Sequence, residues 1–460
     1  MPSAPLWTLN EIAQATDGLA VGTREISGIV IDSREAGAGD LFVPLKDKRD
    51  GHDFIDAAFK SGASAALSEI EINQPHVRVK DSFTAMKQMA IAACQRSGAI
   101  RVGVTGSVGK TSIKEMIAII FEAAGPSHKS VRSFNNHWGV PLTMARMPQT
   151  TQRAVFEMGM NHAGELTELS NLLQPDLALI SLIAPAHLAH FENVDAIAAA
   201  KAEIFDGLKL GGTAVLNRDD AYFESLSKAA QKRDAKIVSF GKDERADLRL
   251  SDIQISAAQS QAKLHYNGEV YDVAIPATGE HWLQNAAAAI AVAIHTDIAI
   301  DHAIKALAEY TIPTGRGAAF DVVIDGKSIR IIDESYNANP TSMRAAINSA
   351  AMQAEGRLLA VLGDMFELGK DEVEIHASLA PDLEAAGVSR VIFRGENMRA
   401  LRGAVKRELR GALVQDAKQA YETLRLEIES GDMVLIKGSN ASGLGELVHM
   451  ITSHNDKDVA

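Results

Sequence analysis

The chain has 460 residues, a formal net charge of −13, 46% hydrophobic and 23% charged residues, and one cysteine, Cys94. That length accommodates about three ordinary domains, and the acidic balance argues against bulk nucleic-acid binding. No apolar run approaches the roughly 20 residues that cross a bilayer and no signal-peptide pattern opens the chain, so a cytoplasmic protein is expected; a lone cysteine excludes an internal disulfide and a cysteine zinc site.

The predicted elements form three α/β blocks. The first, residues 1–98, has strand-like segments at 28–32 and 40–44, an amphipathic helix near 54–61, and a helix over 84–96 that carries Cys94 as a small buried residue. Its most polar cluster is Asp32-Ser33-Arg34. The second block, 99–312, opens on a strand at 100–105 and a helical pattern at 113–124, with Gly106-Ser107-Val108-Gly109-Lys110-Thr111-Ser112 between them. This is a phosphate-binding loop. Its glycines let backbone N–H groups turn toward phosphate oxygens, Lys110 can reach the β- and γ-phosphates, and the Thr111 hydroxyl can ligate Mg²⁺ at the helix start. The commoner pattern has a further glycine where Val104 stands, so the loop is a shortened variant.

Further along, β-rich runs at 155–158, 177–183 and 214–217 alternate with helices, which predicts a largely parallel sheet covered on both faces. Glu157 closes one run, where a carboxylate can hold Mg²⁺ or cap the next helix. His187 follows another, as a metal ligand or a structural imidazole. Lys201 lies in an alanine-rich helix and reads, on pattern alone, as a solvated lysine. Asn217-Arg218-Asp219-Asp220 is one substitution from a guanine-reading element; the alternative is a turn after a strand. The Pro/Gly-rich segment 311–317 predicts a linker. Block three, 313–460, starts with a hairpin, 320–324 and 328–332, around Asp325-Gly326. Strands at 358–362, 390–393 and 433–436 then alternate with helices, without the glycine fingerprint of a bound dinucleotide.

In chain order, Thr105 to Thr111, Asn135-Asn136-His137-Trp138-Gly139, Glu157-Met158-Gly159, Ala186-His187-Leu188, Lys201-Ala202-Glu203 and Gly315-Arg316 resemble the Mur ligases of peptidoglycan synthesis. The stretches Asp333 to Met343 and Leu362 to Gly369 are similar to the branch that adds D-alanyl-D-alanine to UDP-N-acetylmuramoyl-tripeptide. The resemblance implies an α/β fold in three domains. These are an N-terminal UDP-binding α/β domain (1–98), a central P-loop ATPase-type domain with a mostly parallel sheet (99–312), and a C-terminal Rossmann-like domain (313–460) that closes on ATP and binds the dipeptide.

It also implies the site. ATP would be held by Gly106, Ser107, Val108, Gly109, Lys110, Thr111 and Ser112, with Asn285, Arg316 and Asp333. One Mg²⁺ would sit on Thr111 and Glu157, and a second on His187 and a carbamate formed from CO₂ on Lys201, because a free ammonium would repel a dication. Lys110, Lys201, His187 and Arg316 would be the catalytic groups. Ser33, Arg34, Asn135 and Asn136 would contact the uridine substrate, with 46–54, including Asp50-Gly51-His52, completing that site. Tyr336, Asn337 and Asn339 would face the nucleotide or the dipeptide, the alternative being a turn into a helix that starts near Pro340. In the adenine region His281 and Asn285 match the family pattern, whereas Trp282 replaces an asparagine and is assigned to packing. The expected enzyme is an ATP-dependent ligase working through an acyl phosphate, a monomer whose partners are UDP-N-acetylmuramoyl-tripeptide and D-alanyl-D-alanine.

Overall fold

The computed structural model describes residues 5–131, 133–185 and 188–458. Among the described residues three large sheets follow one another along the chain, beside a two-stranded antiparallel pair, Trp7–Thr8 with Glu25–Ile26. The first has five strands, with Gly28–Val30, Asp40–Phe42, Ala65–Ser68 and His76–Arg78 parallel and Leu19–Val21 antiparallel at the edge. Helix Ser82–Ser97 then leads into the second sheet; Asp81 accepts from the Thr84 N–H at its start, and Gly98 ends it in the left-handed region.

Nine strands make the central sheet, with Ile100–Thr105 inside it, between Arg153–Glu157 and Leu177–Ile180. All pairings are parallel from Ser127–Lys129 through to Leu248–Ile255, as the alternation of runs and helices predicts. Two antiparallel strands, Ser260–Tyr266 and Glu269–Ile275, extend the edge through a turn at Asn267-Gly268, where both residues have positive φ. The third sheet has six strands, five parallel, with Ala318–Ile324 pairing antiparallel to Lys327–Glu334 around Asp325-Gly326 as the predicted hairpin. Residues 311–317 contain no helix or strand. No helix among the described residues is long and apolar enough to cross a membrane.

Two predicted elements differ in extent. The helix expected at 54–61 is a 3₁₀ turn, Gly51–Phe54, followed by helix Ile55–Ser61. The run expected to stay in the sheet to residue 183 leaves it after Ile180. Ser181 N–H still reaches the Thr105 carbonyl at the end of the neighbouring strand, whereas the Leu182 and Ala184 carbonyls accept from Ser107 of the phosphate loop and Ile183 N–H donates to Asp220, so an apolar run serves several partners.

The first and second sheets are fastened by side chains. Trp7 Nε1 donates to the Ala145 carbonyl at 2.8 Å, Arg96 lies over the Trp7 ring, and Arg146 donates to the Ile29 carbonyl. Near this junction the His128 Nε2–H donates to the Thr143 carbonyl at 2.8 Å, and burial pulls its pKa down to about 4. The unfolded chain takes up this proton near pH 6.5 and the folded protein only near pH 4, so folding stability falls as pH drops through that window. Replacing His128 with Gln, a side chain that does not titrate, should reduce the loss of unfolding free energy between pH 6.5 and 4 by on the order of 1–3 kcal/mol, read from denaturant melts across that range.

Candidate active site

The phosphate loop leaves the C-terminal end of the buried strand Ile100–Thr105, where parallel sheets place ligands. It is braced from the next strand. Ser181 N–H donates to the Thr105 carbonyl, Ser107 N–H to the Leu182 carbonyl, Ser107 Oγ to the Ala184 carbonyl, and Ser181 Oγ to the Val108 carbonyl. Gly106 has φ +147° and Gly109 φ +85°. Helix Lys110–Ala124 starts at Gly109 with no side-chain cap, so its first amides remain available to an anion. Lys110 Nζ donates to the Gly106 carbonyl at 2.6 Å; burial lowers its pKa, with Glu157 acting in the opposite direction.

Glu157 is fully buried at the end of its strand. Thr111 Oγ1 donates to Glu157 Oε2 at 2.9 Å, and Asn135 Nδ2 donates to Glu157 Oε1 at 2.8 Å. Two cis ligands of an octahedral Mg²⁺, each at about 2.0–2.1 Å, stand roughly 2.9 Å apart. The hydroxyl and carboxylate therefore already have the donor type and spacing of two Mg²⁺ ligands. Arg316, from the linker, donates through Nη2 to the same Thr111 oxygen at 2.9 Å, and its guanidinium carbon lies 4.4 Å from the centre of the Tyr336 ring.

These groups share a cavity of about 650 Å³ with Ser112, Asn285, Asn337 and Asn339. Asn285 lies against the phosphate loop; a Cβ on Gly109 would come within 3.0 Å of its Oδ1. Trp282 is buried between His281 and Tyr310, which fits a packing role. Asn339 caps helix Pro340–Gln353, accepting from the Ser342 N–H, so the turn alternative holds for this residue while it also lines the cavity.

Asp333 is placed differently from its expected ribose contact. Its carboxylate is buried, accepting from Gly315 N–H, Ser335 N–H and Ser335 Oγ–H, and it does not line the cavity. Side chains alternate across a strand, so its neighbour Glu334 faces the cavity in its place. Lys437, fully buried at the end of the adjacent strand, donates to Glu334 Oε2 at 3.1 Å and to the Asn337 carbonyl at 2.9 Å. Neither Glu334 nor Lys437 was assigned from sequence. A charged residue closing a buried parallel strand, the pattern that marked Glu157, would have found both.

Lys201 is fully buried, not solvated. Desolvation, and then the charge of Lys110, push its pKa well below the ordinary lysine value. It is not on the wall of the large cavity. His187 lies outside the described residues. The groups expected on the uridine side are dispersed. Ser33 and Arg34 sit in a turn, where hydrogen bonds from Arg34 hold the Asp32 pKa at about 2. His52 contacts Asp50 through Nδ1 and accepts the Glu69 N–H at Nε2, which fills both ring nitrogens. Asn136 accepts from Trp138 and Gly139 N–H groups, while Asn135 belongs to the Glu157 cluster. The guanine-like element is a turn: Asp219 accepts from Lys242 and Asp243 N–H and from Gln284 Nε2, and Asp220 accepts from Ile183 and Tyr222 N–H.

Shortened phosphate loop, strand-end carboxylate and linker arginine together mark an ATP-dependent ligase fold of three units. Three family models match consecutive stretches: "Mur ligase family, catalytic domain" at 25–104, "Mur ligase middle domain" at 104–293, and "Mur ligase, glutamate ligase domain" at 320–440. The chain belongs to the Mur ligase family. It is 33% identical over 457 residues to the UDP-N-acetylmuramoyl-tripeptide--D-alanyl-D-alanine ligase of Bacillus subtilis (strain 168), covering 96% of this chain and 97% of that protein. Its structure is similar to that of MurF from Acinetobacter baumannii, with a TM-score of 0.85, 30% identity, and coverage of 97% of this chain and 99% of the other. The MurF ligase of Thermotoga maritima in complex with ADP matches with a TM-score of 0.78 and 26% identity, over 94% of this chain and 98% of the other.

A Cβ added at Gly106 would lie 1.9 Å from Ser181 Oγ. Gly106→Ala should therefore lose about 2–4 kcal/mol of stability, together with most nucleotide affinity. Thermal melts and calorimetric titration with ADP check both.

Proposed function

We propose that this protein ligates D-alanyl-D-alanine to UDP-N-acetylmuramoyl-tripeptide with ATP, releasing ADP and phosphate, in the assembly of a peptidoglycan precursor. The observation that carries the reading is the meeting of Lys110, Thr111, Glu157 and linker residue Arg316 in one cavity bounded by both the central and the C-terminal sheets. A carboxylate is a poor electrophile, and phosphorylating it with the γ-phosphoryl of ATP gives an acyl phosphate that an amine can attack. Charge develops on oxygen in both steps, which calls for fixed cations and not for an acid/base pair alone.

Within that scheme Lys110 and the loop amides orient the β- and γ-phosphates, and Arg316 neutralises charge on the transferred group. Mg²⁺ on Thr111 and Glu157 supplies further charge neutralisation when bound. Glu334, held by Lys437, faces the nucleotide where Asp333 does not. Tyr336, Asn337 and Asn339 line the acceptor and nucleotide side. Block one, with Ser33 and Arg34, takes the uridine substrate. The three blocks act as 1–98, 99–312 and 313–460, with 313–317 as the hinge.

Lys201 supports the carbamate. CO₂ reacts with a neutral amine, whose lone pair forms the new N–C bond as a proton leaves. A buried lysine with a depressed pKa is neutral more readily than a solvated one. The product offers oxygen ligands to a second Mg²⁺ together with His187. The enzyme works as a cytoplasmic monomer.

Phosphate release should require ATP, Mg²⁺, the UDP-linked tripeptide and D-alanyl-D-alanine together; release independent of either co-substrate overturns the assignment. Lys201→Ala should lower ligation by about 100-fold or more and gain nothing from added bicarbonate, while a fully active variant removes the carbamate.

A further inference from the structure

Arg316 and the expected Mg²⁺ compete for one oxygen. A threonine hydroxyl has one hydrogen and two lone pairs. At Thr111 the hydrogen goes to Glu157 Oε2, and Arg316 Nη2 donates into the oxygen from 2.9 Å. A Mg²⁺ bound to that oxygen at about 2.0–2.1 Å would meet the guanidinium across a single atom. Like charges so close repel strongly beside groups as buried as Thr111 and Glu157. The second lone pair of Thr111 stays open, but a dication on it would sit against the guanidinium, so Arg316 disfavours metal there.

Nor is Arg316 a loose side chain. It stacks on Tyr336 and is flanked by Gly315, at φ +76°, and Gly317, at φ +107°. The Gly315 N–H is bound to the Asp333 carboxylate and the Gly317 N–H to the Asp333 carbonyl. Its guanidinium meets the Thr111 hydroxyl and the face of Tyr336. Lys110 stands nearby, and after burial the charge of Arg316 helps lower its pKa.

We propose that Arg316 is a resident counter-ion of the metal site, which keeps divalent cations off Thr111 and Glu157 until a bound triphosphate draws the guanidinium away. This rests on reading the loop as an Mg²⁺–ATP site. A phosphate on the loop offers the guanidinium a bidentate anionic partner, which a hydroxyl cannot. Departure of Arg316 then removes the repelling charge from beside Thr111 in the same event. Metal entry becomes conditional on nucleotide, and the linker that carries Arg316 changes conformation as the site is loaded. The device would suit an enzyme whose C-terminal sheet must close only over a complete site.

The test uses Mn²⁺ as the probe, with free ion read by electron paramagnetic resonance, on the full chain without nucleotide. Arg316→Ala and Arg316→Gln should each bind Mn²⁺ at Thr111 and Glu157 about five-fold tighter or more than the parent, the low end of ordinary coupling between sites. An added non-hydrolysable ATP analogue, which carries the third phosphate, should then improve Mn²⁺ affinity less in these variants than in the parent, by the reciprocity of linkage. Arg316→Lys keeps the charge on a shorter reach and should fall between. Equal Mn²⁺ affinity in parent and both neutral variants overturns the proposal, as does a gain in affinity that survives adding Glu157→Gln. A parent that binds no ATP analogue would instead overturn the nucleotide reading, and the metal comparison without nucleotide would still stand.

Discussion

The hydrogen bond between Thr111 and Glu157 is the constraint on which the rest of the site depends. It joins the first turn of the helix after the phosphate loop to the end of a neighbouring strand. Parallel register makes it possible, since Glu157 pairs opposite Val104, two residues before the loop begins to turn. A slip of one residue would send the carboxylate to the other face of the sheet. The buried runs of both strands, Val102 and Val104 against Val155 and Phe156, make such a slip costly. Hydrophobic packing thus positions the hydroxyl and carboxylate oxygens against each other.

From that pair the remaining groups can be ordered by what they bring to it. Asn135 holds the second carboxylate oxygen, and Arg316 reaches in from the linker to the shared hydroxyl. Asp333 does not enter the cavity, yet it secures Gly315 and Gly317 on either side of Arg316. The chain is acidic overall, at −13, so an anionic substrate is not attracted by the global field. Lys110, Arg316 and Lys437 instead supply local positive charge inside a concave site, where it is screened least.

Much of this was legible in the residues. The loop, Glu157, Arg316 and the three-block order are carried by short motifs whose chemistry is local, and the hairpin at Asp325-Gly326 is set by a turn that only certain residues adopt. Less legible were the antiparallel edge strands of the central sheet. Their period-two alternation and the Asn267-Gly268 turn are visible in retrospect, but exposed strands carry weak hydrophobic signal. The inversion of Asp333 and Glu334 was not legible from composition. Two adjacent acids look alike in sequence, and only the face of the strand separates a linker clamp from a cavity wall.

Lys201 marks the same boundary. Its alanine-rich helix reads as solvated, and burial is a property of what packs around a helix, not of the helix itself. By itself the sequence determined the phosphate loop, the order of α/β blocks and the family, because those depend on contiguous residues and on backbone chemistry that a few glycines dictate. Only the tertiary structure decided which acid faces the cavity, that Lys201 is desolvated, and that Arg316 lies on the Thr111 hydroxyl proposed to take a metal. Each of those is a contact between residues 22 to 205 apart, or a burial imposed by distant segments. Their energies come from exclusion of water and proximity of charge, neither of which exists until the chain has folded.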